Sequence, residues 1–210
     1  MLSTDLITAT RSLLDEASAS FWTDNDLYLY LSDGQREIVN YLLAIYKAKS
    51  QVNPQEELPE ILASLEKTIS GTSIVYVLAA PSDYLHLIDM QWGVHSGTLY
   101  PAFIRQSQRN TIFEMNNTFL AGTTTNPIVI VKGDSSGSKA FNFIPQVTGD
   151  YLGTYLRIPP ILTASVNPLL PDNTKSAIVN YALASALAKD KNYSESSMFY
   201  QKFLQQIQSL

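Results

Sequence analysis

Residues 13–46, LLDEASASFWTDNDLYLYLSDGQREIVNYLLAIY, hold one helix end and the start of the next. Thr23 is an N-cap residue with Asp26 three positions on, and Trp22 and Leu27 stand where a hydrophobic staple places them. Asp24 and Asp26 bring negative charge to the first turn, where the helix dipole favours it. Leu27, Leu31, Ile38, Leu42 and Ile45 recur at helical spacing, which predicts one long amphipathic helix over 24–49. Upstream, Ser3 or Thr4 is the expected cap of a first helix with Leu6, Leu13 and Leu14 on its inner face, ending near residue 19. As physics this is a helical corner, and it names no activity.

Working outward, Asn53-Pro54, with Pro59 as a rival start, opens a third expected helix. Its stripe is Ile61, Leu62, Leu65 and Ile69, and Gly71 is its stop. From Thr72 the period changes. Residues 73–78, 84–92, 98–104, 127–132, 139–145 and 151–158 read as strands. Turn residues over 133–138 make 127–132 and 139–145 a hairpin. After Pro168 and Pro171 a helix is predicted over 172–190, with Ile178, Tyr181, Ala182 and Ala186 on one face. Ser194 is the expected cap of a final helix striped by Phe199, Phe203, Ile207 and Leu210. The expected fold class is α+β, with residues 1–71 and 166–210 forming one helical domain and an antiparallel β unit inserted at 72–165.

Composition narrows function. The chain has 210 residues, 45% apolar and only 16% charged, with twelve Tyr. So few charges leave a neutral polar surface suited to contact with neighbours, which favours an oligomer. The formal charge is −5 and no Lys/Arg cluster occurs, so a grip on a phosphate backbone is not expected. Absence of Cys removes disulfides and thiolate chemistry. The first residues lack a basic n-region, and no apolar run nears the ~20 residues needed to cross a bilayer, so a soluble intracellular protein is expected.

Candidate chemistry reduces to little. Gly133-Asp134-Ser135-Ser136-Gly137 fits G-x-S-x-G, but a nucleophile elbow needs a helix after the serine, and a strand is expected there. His86 and His95 precede Ser135, the wrong order for an α/β-hydrolase; a chymotrypsin-like motif would have Gly where Ser136 stands. The segment also fails the P-loop pattern, because Ser138 separates Gly137 from Lys139. On an uninterrupted strand His86 and His95 point to opposite faces, so a shared metal with Asp83 or Asp89 is not expected. The acid pairs Asp15/Glu16, Asp24/Asp26 and Glu56/Glu57 lie at expected helix ends. Phe199 and Phe203 read as core, while Tyr200, Leu204 and Leu210 read as a contact surface. No catalytic residue, metal or cofactor is expected.

The wording of several segments nevertheless resembles the head–tail adaptor (connector or neck) proteins of tailed bacteriophages, of the podovirus type. The opening matches as Arg11-x-x-Leu14-Asp15-Glu16-Ala17, Phe21-Trp22-Thr23-Asp24-x-x-Leu27 and Leu31-x-x-x-Gln35-Arg36-Glu37-Ile38. The β entry resembles the family's Tyr-x-x-Pro-x-Asp turn, stretched here over 76–85; the exit matches as Tyr155-x-x-x-Pro159-x-x-Leu162, Leu170-Pro171 and Ala177-Ile178-Val179-x-Tyr181-Ala182-Leu183. Lys189-Asp190 and Phe203 also fit, whereas residues 93–126 match nothing in the family.

This resemblance implies a virion structural protein assembled in the host cytoplasm. It implies a ring of about twelve copies under the portal, which extends the DNA channel and gives tail or further neck proteins a platform. Genomic DNA would only pass through the lumen, and no membrane is involved. About −60 of charge in such a ring would discourage DNA from adhering. The resemblance assigns Tyr200, Phe203, Leu204, Ile207 and Leu210 to portal docking, and leaves Asp134, Ser135 and Ser136 for a neighbour or the tail. Competing readings are a small serine hydrolase using Ser135 and a generic helical protein-binding module.

Overall fold

A computed structural model describes residues 1–16, 21–53, 56–74, 77–93, 97–105, 122–123, 127–133, 139–144 and 148–210. It divides into a helical unit, residues 1–65 with 158–210, and a β unit, residues 66–157. The fold class is α+β.

The helical unit contains α1 (Ser3–Leu13), α2 (Asp24–Val52), the single turn α3 (Glu60–Ala63), α4 (Lys175–Lys189) and α5 (Tyr193–Gln208), with a 3-10 turn at Asp172–Thr174 leading into α4. The capping box at the head of α2 is complete. Asp26 N–H donates to Thr23 Oγ1 at 3.1 Å, and Thr23 N–H donates to Asp26 Oδ2 at 3.2 Å. Leu27, Leu31, Ile38 and Leu42 of the expected stripe are buried. Helix α1 differs from expectation. It is flanked by Leu2 with no side-chain cap, and Ser3 is buried, its hydroxyl donating to Thr163 O at 2.7 Å. The inner face is Leu6, Ile7, Thr10 and Arg11, while Leu13 is exposed and Asp15 turns the chain away at φ 53°.

Helices α2 and α4 approach closely at Gly34, where a Cβ would come within 3.0 Å of the Tyr181 Cβ and 3.2 Å of Ile178 O. The small residues of α4, Ala177, Ala182 and Ala186, are buried along with Ile178 and Leu183. Asn192, not Ser194, caps α5, accepting from Glu195 N at 3.4 Å. Phe203 and Ile207 are buried; Phe203 meets Tyr181 edge-on at 5.1 Å.

The helix expected through residue 69 does not form. Beyond α3 the chain enters β1 (Glu66–Ile74), where Ile69 pairs with Gly153 and Gly71 with Tyr151. Thr68, Ile69, Thr72 and Ile74 are β-branched, and a neighbouring strand satisfies the backbone, so pairing overrides a short coincidence of helical spacing. At Gly71 a Cβ would lie 2.7 Å from the Tyr151 ring, so a larger residue would force that ring to shift. The β unit therefore begins six residues before the expected 72 and ends at Arg157 rather than 165.

The remaining strands are β2 (Val77–Ala79), β3 (Tyr84–Gly93), β4 (Tyr100–Pro101), β5 (Phe103–Arg105), β6 (Ile128–Gly133), β7 (Lys139–Ile144) and β8 (Gly149–Arg157). They form two four-stranded sheets, ordered β1-β8-β3-β4 and β2-β7-β6-β5. The expected hairpin is present as β6 and β7. One edge departs from the antiparallel expectation, because β5 pairs parallel with β6, Phe103 opposite Ile128 and Arg105 opposite Ile130.

Tyr84, Leu87, Met90, Trp92, Tyr151 and Tyr155 from the first sheet pack with Val129, Phe141 and Phe143 from the second. Trp92 and Phe143 have ring centroids 4.3 Å apart, and Tyr84 meets Phe141 edge-on at 5.2 Å. Along β3 the buried positions 84, 87, 90 and 92 break simple alternation, because the register against β8 shifts between 84 and 86 and again between 87 and 89. Each shift admits one extra residue and re-aims those that follow. The parity argument for His86 and His95 therefore lacks its premise, since β3 is not uninterrupted.

Candidate functional site

The described residues gather polar side chains at three places, and two of them hold the helical unit's corner and return. At the corner, Arg11 is buried and spends its guanidinium on three acceptors. Nη1 donates to Glu16 Oε2 at 3.0 Å, Nη2 to Asp24 Oδ1 at 2.6 Å and to Trp22 O at 3.0 Å, and Nε also reaches Asp24. Glu16 in turn accepts from Phe21 N at 2.6 Å. Trp22 donates its indole N–H to Ala186 O on α4 at 3.2 Å. A cavity of about 440 Å³ borders Thr8, Arg11, Ser12, Asp15 and Glu16, but the arginine facing it is already paired with two carboxylates.

The second group joins α2 to residues 158–170. Ser32 Oγ accepts from Leu162 N at 2.8 Å, Gln35 Oε1 accepts from Leu169 N at 3.1 Å, and Gln35 Nε2 donates to Pro160 O at 3.3 Å. Both side chains are fully buried, so they satisfy backbone that would otherwise be dry and unpaired. The segments whose wording carried the family resemblance are thus the ones that clasp each other.

The third group lies in the β unit. Tyr155 Oη donates to Asp83 Oδ1 at 2.8 Å, and Lys67 Nζ donates to Asp83 Oδ2 at 3.1 Å. Burial pushes the Asp83 carboxyl up, but the Tyr155 hydroxyl and Lys67 ammonium outweigh it and hold it below the usual carboxylate range. Burial and the hydrogen bond to Asp83 push the Tyr155 phenol up. This arrangement ties β1, the turn before β3, and β8 together.

Arg11 could have been noticed as a lone charge among Leu6, Ile7 and Thr10, and Gln35 as an amide between Leu31 and Ile38 on the apolar stripe. A polar side chain inside an apolar face signals a buried partner.

Among the contact candidates, Tyr200 and Leu210 are exposed and Leu204 is half-buried. Phe203 and Ile207 are a correction: both are buried against their own unit and cannot lie on its surface. Tyr193 and Met198 add exposed apolar area to α5. Asp134, Ser135, Ser136 and His95 lie outside the described residues. Among those described, no three His, Asp or Glu side chains gather as a metal site, and no helix is long and apolar enough to cross a membrane.

The family model described as SU10 adaptor protein matches residues 1–210, the whole chain. No curated protein matches it.

Proposed function

Because the chain belongs to the SU10 adaptor protein family, a family of phage head–tail adaptors, we propose that it forms a closed ring beneath the portal, extends the DNA channel and presents a platform to tail proteins. At the coarser level the protein is a structural head–tail adaptor of a phage virion. The match over the full chain carries this reading.

A closed ring needs a heterologous interface, two different faces of each copy meeting in rotation. Twelve copies at −5 each would place about −60 of charge around the channel and keep DNA from adhering. The helical unit has thirteen acidic and eight basic residues and the β unit six of each, so that field originates in the helical unit. Portal docking falls to the exposed side of α5, with Tyr200, Leu204 and Leu210 as contacts and Phe203 and Ile207 supporting them from within. The turn at Asp134, Ser135 and Ser136 is left for a neighbour or the tail. Assembly takes place in the host cytoplasm, without a membrane.

Light scattering on the purified protein, alone and with portal, tests this. Association into a ring on portal is expected; a strict monomer that never associates with portal overturns it. Cryo-electron images of virions lacking the protein should show capsids without attached tails.

A further inference from the structure

On α2, opposite the side that carries Ser32 and Gln35, Tyr30, Asp33, Glu37 and Tyr41 follow one another at i, i+3, i+7 and i+11, so they form one stripe. Gly34 lets α4 approach this stripe, which brings Tyr181 beside it. Asp33 and Glu37 lie one residue before and three after Gly34, where Tyr181 packs, and after burial their charges raise the Tyr181 phenol. The Tyr181 ring lies 6.5 Å from that of Tyr200 on α5. Glu37 is exposed and has no ion pair among the described residues, and Asp33 has only Arg36 at 3.7 Å.

We propose that this face, Asp33 and Glu37 beside the Tyr181 and Tyr200 rings, receives an arginine- or lysine-bearing segment of the portal. A cation over a tyrosine ring gains from the ring quadrupole, and two carboxylates alongside strengthen the hold. The helical unit carries the entire net charge, so its field draws a basic partner. A second copy supplies that cation poorly. Its helical unit has thirteen acidic residues against eight basic ones, of which Arg11, Arg36, Lys49 and Lys189 are already in ion pairs, and its β unit has no net charge. The face is continuous with the docking side of α5 through Tyr200, and the inference rests on the portal-docking reading above.

The test measures binding of the full-length protein to purified portal at low and high salt. The D33N/E37Q variant should bind about tenfold more weakly at low salt and with a flatter salt dependence. Its thermal midpoint should hold, while the Tyr181 phenol titrates lower than in the parent. Tyr181→Phe keeps the ring and should bind as the parent does. Parent-like affinity and salt dependence in D33N/E37Q overturn the inference while leaving portal docking intact. Loss of self-association with portal binding kept also overturns it, in favour of a neighbouring copy. Failure of the parent itself to bind portal overturns the docking reading and this inference together.

Discussion

The two units solve the same problem with different materials. The helical unit closes its corner and its return segment with buried polar clasps, Arg11 to Glu16 and Asp24, and Ser32 and Gln35 to residues 160–169. The β unit is held by interleaved aromatic rings between two sheets, with Tyr155, Asp83 and Lys67 as a polar tie. All of the net charge belongs to the first and none to the second. Helices joined by loops leave backbone groups that, where buried, side chains can satisfy, whereas paired strands satisfy most of their own. In the helical unit, the buried Ser32 and Gln35 do this for residues 160–169.

Each unit contains one of the two tryptophans, Trp22 and Trp92, so fluorescence can follow the units separately. The sharpest break in the comparison is Phe141→Ala. It should destabilise the β unit by about 4 kcal/mol in denaturant unfolding and move the Trp92 signal, because the ring is fully buried. Arg11→Ala should cost the helical unit about 3 kcal/mol, read at Trp22, by stranding the buried Glu16 carboxylate. An equal loss in the β unit's Trp92 signal would mean that the units do not unfold as separate bodies. Gln35→Ala leaves Leu169 N and Pro160 O without their partner, and about 2 kcal/mol is expected. Thr23→Ala removes one half of the capping box and should cost about 1 kcal/mol.

The smallest effect is a pH dependence. Asp83 titrates below its unfolded value, so its contribution is present above the ordinary carboxylate range and is lost as pH falls through the lowered value. Asp83→Asn should flatten that acid limb in the β unit's melting curve and leave the neutral-pH limb nearly parallel to the parent's.

Much of the helical unit was legible because its signals are local. Thr23 with Asp26, the stripe from Leu27 to Leu42, and the α4 face around Ile178 and Ala182 each lie within a few turns of chain. The β6–β7 hairpin was legible for the same reason. Residues 66–71 were misread because their fate depends on β8, eighty to ninety residues away. The contact surface was half legible. Helical spacing put Tyr200, Phe203, Leu204 and Ile207 on one helix, but only packing against α4 showed that Phe203 and Ile207 are consumed within the unit.

Sequence alone determined the helical corner at Thr23, the α+β class, the missing basic stripe and the family wording, since caps, periodicity and charge are properties of neighbouring residues. Tertiary structure alone decided that Arg11 and Gln35 serve as internal clasps, that β3 re-aims its side chains at two register shifts, and that Tyr181 packs at Gly34 of α2 and beside Tyr200 of α5. Each of those depends on which distant segments meet, and burial, charge coupling and register arise only where they do.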